Sequence, residues 1–303
     1  MGRRDAGDRH RTPLPQRPLL RGGTTAAGLP GPGGRPHRRP GRARGGPVSA
    51  GDRRGLVEWQ PPATARLLLV CLPHAGSGAF QFRQWQELAG PGIAVVAVQL
   101  PGRENRWREE PATRTEEVVR ELVPVLAARL DLPYLVFGHS MGALLGYELA
   151  RALGTGYGSW PVGLVASACR APDAQGAPTG AAAMSDGELV AELAEHGAVP
   201  DYVAASEKLV PIVARPLRAD LTLCDHYRPP AADAVLPCPV HAWRGRDDLG
   251  VTDEHAGQWR AWSAAPAGVR RFDGGHLYHL DRPDEVVDAL RRLGERALAG
   301  VSE

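Results

Sequence analysis

Short apolar runs alternate along the chain with longer stretches whose apolar positions recur every three or four residues. Runs of strand type cover residues 66–73, 93–101, 134–138, 162–168, 239–245 and 269–275. Stretches with a helical period cover residues 81–89, 114–130, 143–153 and 283–298. Near-continuous apolar strands separated by helices are typical of a parallel sheet that is covered on both faces. The pattern therefore predicts an α/β fold with a mostly parallel central sheet and helices on both faces.

The alternation fails between about residues 170 and 236. This region contains two or three helical pieces with no strand-like run between them, and Ser185 and Glu188 have the spacing of a capping box before one of them. A helical insertion between two strands is either a packed subdomain or a lid over a site. Long insertions into a compact sheet more often carry function, so we favour a lid over about 170–236.

Composition separates the N-terminal segment from the rest of the chain. Residues 1–50 contain eleven Arg against two Asp, with eleven Gly and eight Pro, and they show no sustained hydrophobic period. Their net charge is +9, and since the whole chain carries +2, residues 51–303 carry −7. Such a segment cannot offset the entropy of folding, so we expect a disordered leader over 1–52 and one domain over 53–303. A nucleic-acid-binding arm, a transit peptide and an over-extended gene start, with the real start near Val48, are the other interpretations.

The remaining composition favours a cytoplasmic, soluble protein without membrane, nucleic-acid or metal partners. No apolar run approaches the roughly 20 residues that a bilayer requires, and no secretory apolar region follows the N-terminus. The cysteines form no C-x-x-C pair and are expected to be buried free thiols. They are Cys71, Cys169, Cys224 and Cys238. The close histidine pair His276 and His279 has no companion ligands nearby in the sequence.

The pentapeptide GHSMG places Ser140 between a strand-like run and a helical stretch. It fits G-x-S-x-G, in which a serine sits on a strained turn with its hydroxyl exposed above a parallel sheet. Gly138 and Gly142 are expected because side chains there would clash in so tight a corner. The alternative is that Ser140 simply caps the following helix. A cap requires neither the flanking glycines nor the residues described next, so we favour a nucleophile.

A nucleophilic serine needs a base, and the base needs an acid that orients it. In an α/β hydrolase the serine, the acid and the histidine follow one another along the chain in that order, and the acid and the histidine each come after a later strand than the serine. After Ser140, the stretch GRDD ends one strand and GGH ends the next, so we assign His276 as the base and Asp248 as the acid. Asp247 is the alternative acid. We expect His279 to pack or cap.

The oxyanion of a tetrahedral intermediate also needs N–H donors. One is expected from the backbone of Met141, directly after the nucleophile. The other is expected from Ala75, in the glycine-rich stretch that follows the first long strand. A phosphate-binding loop is disfavoured there because the sequence contains neither G-x-x-x-x-G-K-[ST] nor G-x-G-x-x-G at that point.

Taken together, these motifs resemble the stand-alone type II thioesterases of polyketide and nonribosomal peptide biosynthesis. The resemblance runs from about residue 57 to the end and rests on LPHAGSGAFQFRQW, VAVQLPGRENRWREEP, FGHSMGALLGYELAR, LRADLTLCDHY, GRDDLGV and FDGGHLYHL. It implies an α/β-hydrolase fold with a helical lid and hydrolysis of acyl groups from the phosphopantetheine arm of acyl or peptidyl carrier proteins. It also implies a monomer with no cofactor of its own, in which Ser140, Asp248 and His276 form the triad and Ala75 and Met141 are the oxyanion donors. The residues after His276 depart from the family's phenylalanines, which affects the expected pocket lining.

Three other functions use the same residues or fold. A carboxylesterase or lipase would use the triad on oxoesters, and a cyclising thioesterase would pass the acyl group to an amine or hydroxyl. A non-catalytic binding protein on this fold is the third. Carrier proteins are often acidic, as residues 51–303 are, so carrier recognition must rest either on a local patch or on apolar contacts. Arg103, Arg106 and Arg108 are candidates for such a patch; they would otherwise be solvated or brace their loop.

Overall fold

The computed structural model describes residues 54–195, 199, 201–231 and 234–300. The leader predicted over 1–52 lies outside these residues. Seven strands are present in the described part: β1 (Leu56–Val57), β2 (Leu67–Leu72), β3 (Ile93–Val98), β4 (Tyr134–His139), β5 (Gly163–Ser167), β6 (Val240–Gly245) and β7 (Arg270–Phe272). They form one sheet in the order β1-β3-β2-β4-β5-β6-β7.

All strand pairs of this sheet are parallel except β1 with β3. In the centre, Leu69 lies between Val95 of β3 and Leu135 of β4. The mostly parallel sheet predicted from the apolar runs is therefore confirmed. The pattern missed β1, because two residues are too short to show a period.

Nine α-helices occur in the described residues: α1 (Trp85–Ala89), α2 (Thr115–Arg129), α3 (Met141–Tyr157), α4 (Asp186–Glu195), α5 (Asp201–Ala204), α6 (Val210–His226), α7 (Asp253–Gly257), α8 (Tyr278–Asp281) and α9 (Pro283–Gly300). The helix expected over 81–89 is instead a 3-10 turn, Ala79–Phe82, followed by the short α1. The 3-10 turn is held apart from α1, because the side chains of Gln99 and Glu104 accept the N–H groups of Ala79 and Phe80.

Side chains alternate between the two faces of the sheet. On β2, Leu68, Val70 and Leu72 belong to a core with residues of α2 and α3. Leu67, Leu69 and Cys71 belong to a second core with residues of α1 and α9. Since both faces are covered, every residue of β2 is buried, as the continuous apolar run predicts.

The insertion between β5 and β6 carries α4, α5 and α6, and its described residues form no strand. It has an apolar cluster of its own that includes Leu189, Val190 and Leu217. The predicted capping box is confirmed: the Ser185 hydroxyl accepts the Glu188 N–H at 3.3 Å, and the Glu188 carboxylate accepts the Ser185 N–H at 2.8 Å. That this insertion acts as a lid remains a prediction.

Within the described residues, no helix is long and apolar enough to cross a membrane. The same residues contain no group of three or more His, Cys, Asp or Glu side chains arranged to hold a metal ion. The four cysteines are free; Cys224 is half-buried and the other three are buried.

Candidate active site

The carboxyl ends of four strands bring the sequence-predicted residues to one edge of the sheet. Ser140 follows β4, Ala75 lies in the loop after β2, and Asp248 and His276 lie in the loops after β6 and β7. In open α/β sheets this edge is where ligands bind. The parallel order of the strands therefore places these residues where a site is expected.

The backbone of Ser140 has a conformation that non-glycine residues rarely adopt, with φ +53° and ψ −121°. A Cβ on Gly138 would lie 2.1 Å from the carbonyl oxygen of Gly142, and one on Gly142 would lie 2.4 Å from that of Leu72. Both glycines are therefore required by the close approach of the chain, as predicted. The Ser140 N–H donates to the carbonyl oxygen of Ser167 at 2.8 Å, which ties the strained turn to β5.

His276 and Asp248 are joined by a hydrogen bond of 2.9 Å between Nδ1 and Oδ2. The Asp248 side chain is 1% exposed, and its Oδ1 accepts the N–H groups of Gly250 and Val251 at 2.9 and 3.1 Å. Asp247 is exposed to solvent. Of the two candidate acids, the structure therefore places Asp248 against His276.

The environment of Asp248 favours its charged form. Burial alone would raise the pKa of this carboxyl. The interactions with His276 and with the two backbone N–H groups outweigh burial, so the pKa is lower than usual. Asp248 is thus held as a carboxylate that can accept the Nδ1 proton of His276 and fix which ring nitrogen faces the cavity.

Two cavities meet at His276. One, of about 470 Å³, is lined by Ser140, Met141 and His276, with polar side chains such as Gln175 at its wall. The other, of about 580 Å³, is lined by Ala75 and His276. Its apolar wall comes from the insertion and from the loop after β7. The lining residues there are Val199, Val203, Val213, Leu217, Leu277 and Leu280.

The two expected oxyanion donors, the N–H groups of Ala75 and Met141, have no hydrogen-bond acceptor among the described residues. Ala75 is held in a turn in which Ser77 N–H donates to the carbonyl oxygen of His74 at 3.1 Å. The Ala75 and Met141 N–H groups are therefore available to an oxygen of a bound molecule.

Three histidines that sequence reasoning did not place at the site lie behind His276 or beside it: His139 and His279 are buried, and His74 is partly buried. The rings of His139 and His279 are stacked with centroids 3.8 Å apart, and His74 lies 5.5 Å from His279. The His279 Nε2 and Gln81 Oε1 atoms are 2.8 Å apart, so His279 packs as expected. Burial lowers the pKa of all three, that of His74 to about 4, so these rings are neutral at pH 7. No local pattern marks such a cluster, because its members come from three separate segments.

The arginines considered for carrier recognition divide into two groups. Arg103 and Arg106 are buried. Arg106 pairs with Glu109 and Glu121, which braces the loop after β3. Arg108 is exposed and lies over the ring of Trp107. Of the three, only Arg108 presents its charge to solvent.

Comparison with known proteins assigns the family. Residues 68–293, more than half of the chain, match the family model described as a thioesterase domain. The chain belongs to the thioesterase family. This thioesterase is 31% identical over 228 residues to the gramicidin S biosynthesis protein GrsT of Aneurinibacillus migulanus, a match that covers 75% of this chain and 89% of GrsT.

Two solved structures extend the similarity of this thioesterase to three dimensions. The type II thioesterase BorB of the borrelidin biosynthetic cluster is 35% identical with a TM-score of 0.73, and the match covers 79% of this chain and 97% of BorB. RedJ of the prodiginine pathway in Streptomyces coelicolor is 33% identical with a TM-score of 0.70, with 82% and 96% covered. The resemblance to type II thioesterases, the α/β-hydrolase fold and the assignment as a thioesterase enzyme are thus confirmed.

Proposed function

We propose that this thioesterase removes acyl groups from the phosphopantetheine arms of acyl or peptidyl carrier proteins in a polyketide or nonribosomal peptide pathway. The proposal places the enzyme in the cytoplasm, where it would clear stalled or wrongly loaded units from a synthase. The observation that carries it is that a strained Ser140 and His276, which is paired with Asp248, line one cavity in a chain of the thioesterase family. GrsT, BorB and RedJ belong to the biosynthesis of gramicidin S, borrelidin and prodiginine, which supports the choice of carrier-bound substrates.

In the first half of the proposed reaction, the Ser140 hydroxyl is the nucleophile. His276 takes the hydroxyl proton on Nε2, since its Nδ1 faces Asp248, and the serine oxygen bonds to the thioester carbonyl carbon. The N–H groups of Ala75 and Met141 stabilise the resulting oxyanion. The C–S bond then breaks, His276 returns the proton to the sulfur, and the pantetheine thiol leaves an acyl-Ser140 ester.

In the second half, water replaces the thiol. His276 removes a proton from the water, whose oxygen bonds to the acyl carbon, and the same two N–H groups stabilise the second oxyanion. The bond to Ser140 breaks, His276 returns the proton to the serine oxygen, and the free acid leaves. Asp248 stabilises the charged form of His276 in both halves.

The insertion fits the role of a lid in this proposal. Val203 of α5 and Val213 and Leu217 of α6 form part of the wall of the 580 Å³ cavity that reaches His276. An apolar wall of this kind suits an acyl chain or the aliphatic part of the pantetheine arm, because neither competes for hydrogen bonds there.

Acyl release from a loaded carrier protein tests the function directly. Carrier proteins charged with acetyl, propionyl and longer acyl groups are incubated with wild type and with Ser140→Ala, and the carrier mass is followed by intact mass spectrometry. We expect wild type to return the carrier to its free-thiol mass, and Ser140→Ala to lower kcat on the order of 10⁶-fold.

Parallel assays separate the competing functions. Retention of wild-type turnover by Ser140→Ala would show that Ser140 is not the nucleophile. Hydrolysis of nitrophenyl esters without release from any carrier, with Ser140 still labelled by a fluorophosphonate, would show a carboxylesterase instead. Absence of both hydrolysis and labelling in folded wild type would indicate a non-catalytic binding protein.

A further inference from the structure

The N–H of Ala75 belongs to a tight turn formed by residues 74–77. Ser77 N–H donates to the carbonyl oxygen of His74 at 3.1 Å, and Gly76 has φ +80°. A bond between the first and fourth residues with positive φ at the third is the geometry of a type II turn. The carbonyl of His74 and the N–H of Ala75 belong to one planar trans peptide and point in opposite directions. Whatever fixes this turn therefore fixes the direction of the Ala75 N–H.

A buried ion pair holds the turn from both sides. Asp220 Oδ2 accepts the Gly76 N–H at 2.7 Å, and Arg103 Nη1 donates to the carbonyl oxygen of Ser77 at 3.1 Å. Arg103 and Asp220 bind each other through both Nη nitrogens and both carboxylate oxygens, with 2.7 Å between Nη2 and Oδ1. Their side chains are 5% and 1% exposed. Two residues that are 117 apart in sequence thus form hydrogen bonds to adjacent residues of the same turn.

The pair also links the turn to the insertion. Asp220 is on α6, and Leu217, one turn earlier on that helix, packs against Gly76; a Cβ on Gly76 would lie 3.0 Å from the Leu217 side chain. Arg103 lies in the loop after β3 and is anchored by its Nε to the carbonyl oxygen of Pro101 at 3.3 Å. Neither Arg103 nor Asp220 lines the two cavities described above.

We propose that Arg103 and Asp220 are positioning residues that hold the Ala75 N–H where the oxyanion forms. The inference rests on the proposed function and assigns a role to a contact between the insertion and the sheet edge. Since the pair reaches the oxyanion through the turn, its loss affects the transition state more than substrate binding. Displacement of a donor by about 1 Å, or the loss of one donor, lowers the rate about 10²-fold or more.

The decisive variant replaces both partners with apolar side chains of similar size, Arg103→Met together with Asp220→Leu. It leaves no unpaired buried charge, and such replacements are often neutral for stability. We expect kcat for acyl-carrier hydrolysis to fall about 10²-fold with KM changed less than about threefold. Asp220→Asn, which still offers an oxygen to the Gly76 N–H, should retain more of kcat than the double variant.

A second, partly buried ion pair provides the matched control. Arg129 of α2 donates to both carboxylate oxygens of Glu58, at 2.9 and 2.7 Å, with side chains 15% and 4% exposed. Arg129→Met together with Glu58→Leu removes a bidentate pair that does not contact the turn. We expect it to keep wild-type kcat. Equal losses of kcat in both double variants, or no loss in the Arg103/Asp220 variant, would overturn the proposal.

Amide hydrogen exchange separates this inference from the proposed function. Exchange at Gly76 and Ser77, whose N–H groups are hydrogen-bonded in the turn, should be at least about tenfold faster in the Arg103/Asp220 variant than in wild type and unchanged in the control variant. If wild type hydrolyses no acyl carrier, the proposed function fails, and the rate of fluorophosphonate labelling at Ser140 replaces kcat, because that reaction also places an oxygen at the donors. Unchanged exchange at Gly76 and Ser77 would overturn the proposal whatever the activity.

Discussion

At the scale of single residues, the site depends on a serine whose backbone is held in an unfavourable conformation. Ser140 keeps φ +53° because its N–H is bonded to Ser167 and because two glycines let neighbouring backbone approach it. A residue in such a region costs on the order of 1–3 kcal/mol and persists only when the surrounding contacts fix it. The observed strain at a cavity-lining serine supports the proposed nucleophile.

The adjacent aspartates allow a matched test of the acid. Asp248→Asn should lower kcat about 10⁴-fold, because an amide at this position stabilises the wrong tautomer of His276 and cannot stabilise its charged form. Asp247→Asn removes the same charge one residue earlier at an exposed position and should leave kcat within about twofold. Steady-state kinetics on an acyl-carrier substrate measures both. A large loss from Asp247→Asn with activity kept in Asp248→Asn would reverse the assignment.

The residues of the site differ in how visible they are in the sequence. Ser140, Asp248 and His276 could be proposed because each follows a recognisable strand-like run, and their order along the chain can be read directly from the sequence. The contact of Arg103 with Asp220 could not, because the two residues are 117 apart and an ion pair leaves no periodic pattern. The stacked His139 and His279 are invisible for the same reason.

At the scale of elements, six of the seven described strands correspond to apolar runs in the sequence, but the elements begin and end at other residues than the runs predict. The run over 269–275 contains β7 at only Arg270–Phe272, because the glycines after it form the loop that carries His276. The helix expected over 143–153 extends over Met141–Tyr157. Its first residue follows Ser140 directly, which the apolar period alone could not show.

The insertion has its own apolar cluster, so damage there should remain local. Leu189 of α4 is 1% exposed and belongs to this cluster, whereas Leu290 of α9 is equally buried but belongs to the core under the sheet. Each Leu→Ala change should cost about 2–5 kcal/mol in the unit that holds it. For Leu189→Ala we expect faster hydrogen exchange and proteolysis within 181–217, with little change in the melting temperature of the sheet.

Leu290→Ala is the matched control and should lower the melting temperature of the whole domain. Since the Leu217 side chain packs on Gly76, Leu189→Ala should also lower kcat modestly by loosening α6. Global unfolding of Leu189→Ala at the same temperature as Leu290→Ala would show that the insertion and the sheet unfold as one unit.

At the scale of the whole molecule, a group of neutral imidazoles occupies the buried space beside the site. His139 ends β4, His74 follows β2 and His279 lies on α8, so the cluster joins three parts of the domain. The ring of His139 is connected through Ser167 to the hydroxyl of Tyr278, with 2.9 and 2.5 Å between successive polar atoms. Protonation of these rings would introduce charges where burial opposes them.

The cluster predicts that the domain loses stability in mild acid. Burial lowers the pKa of His74 from 6.5 to about 4, so the unfolded chain binds a proton in this interval that the folded chain does not. The stability contributed by neutral His74 is therefore complete above pH 6.5 and is lost as the pH falls through about 4. For His74 alone the loss is about 3 kcal/mol, at about 1.4 kcal/mol per pKa unit. His139 and His279, whose pKa values burial also lowers, act in the same direction.

Urea unfolding between pH 7 and pH 4 measures this loss, and Leu290→Ala supplies the control. In His74→Asn the free energy of unfolding should fall by about 3 kcal/mol less over this range than in wild type, since one proton-binding group has been removed. Leu290→Ala removes no proton-binding group, so it should lower the free energy of unfolding at every pH and leave its pH slope as in wild type. Equal slopes in wild type and His74→Asn would show that the pKa of His74 is the same in the folded and unfolded chain, and the acid sensitivity would then have to come from other groups.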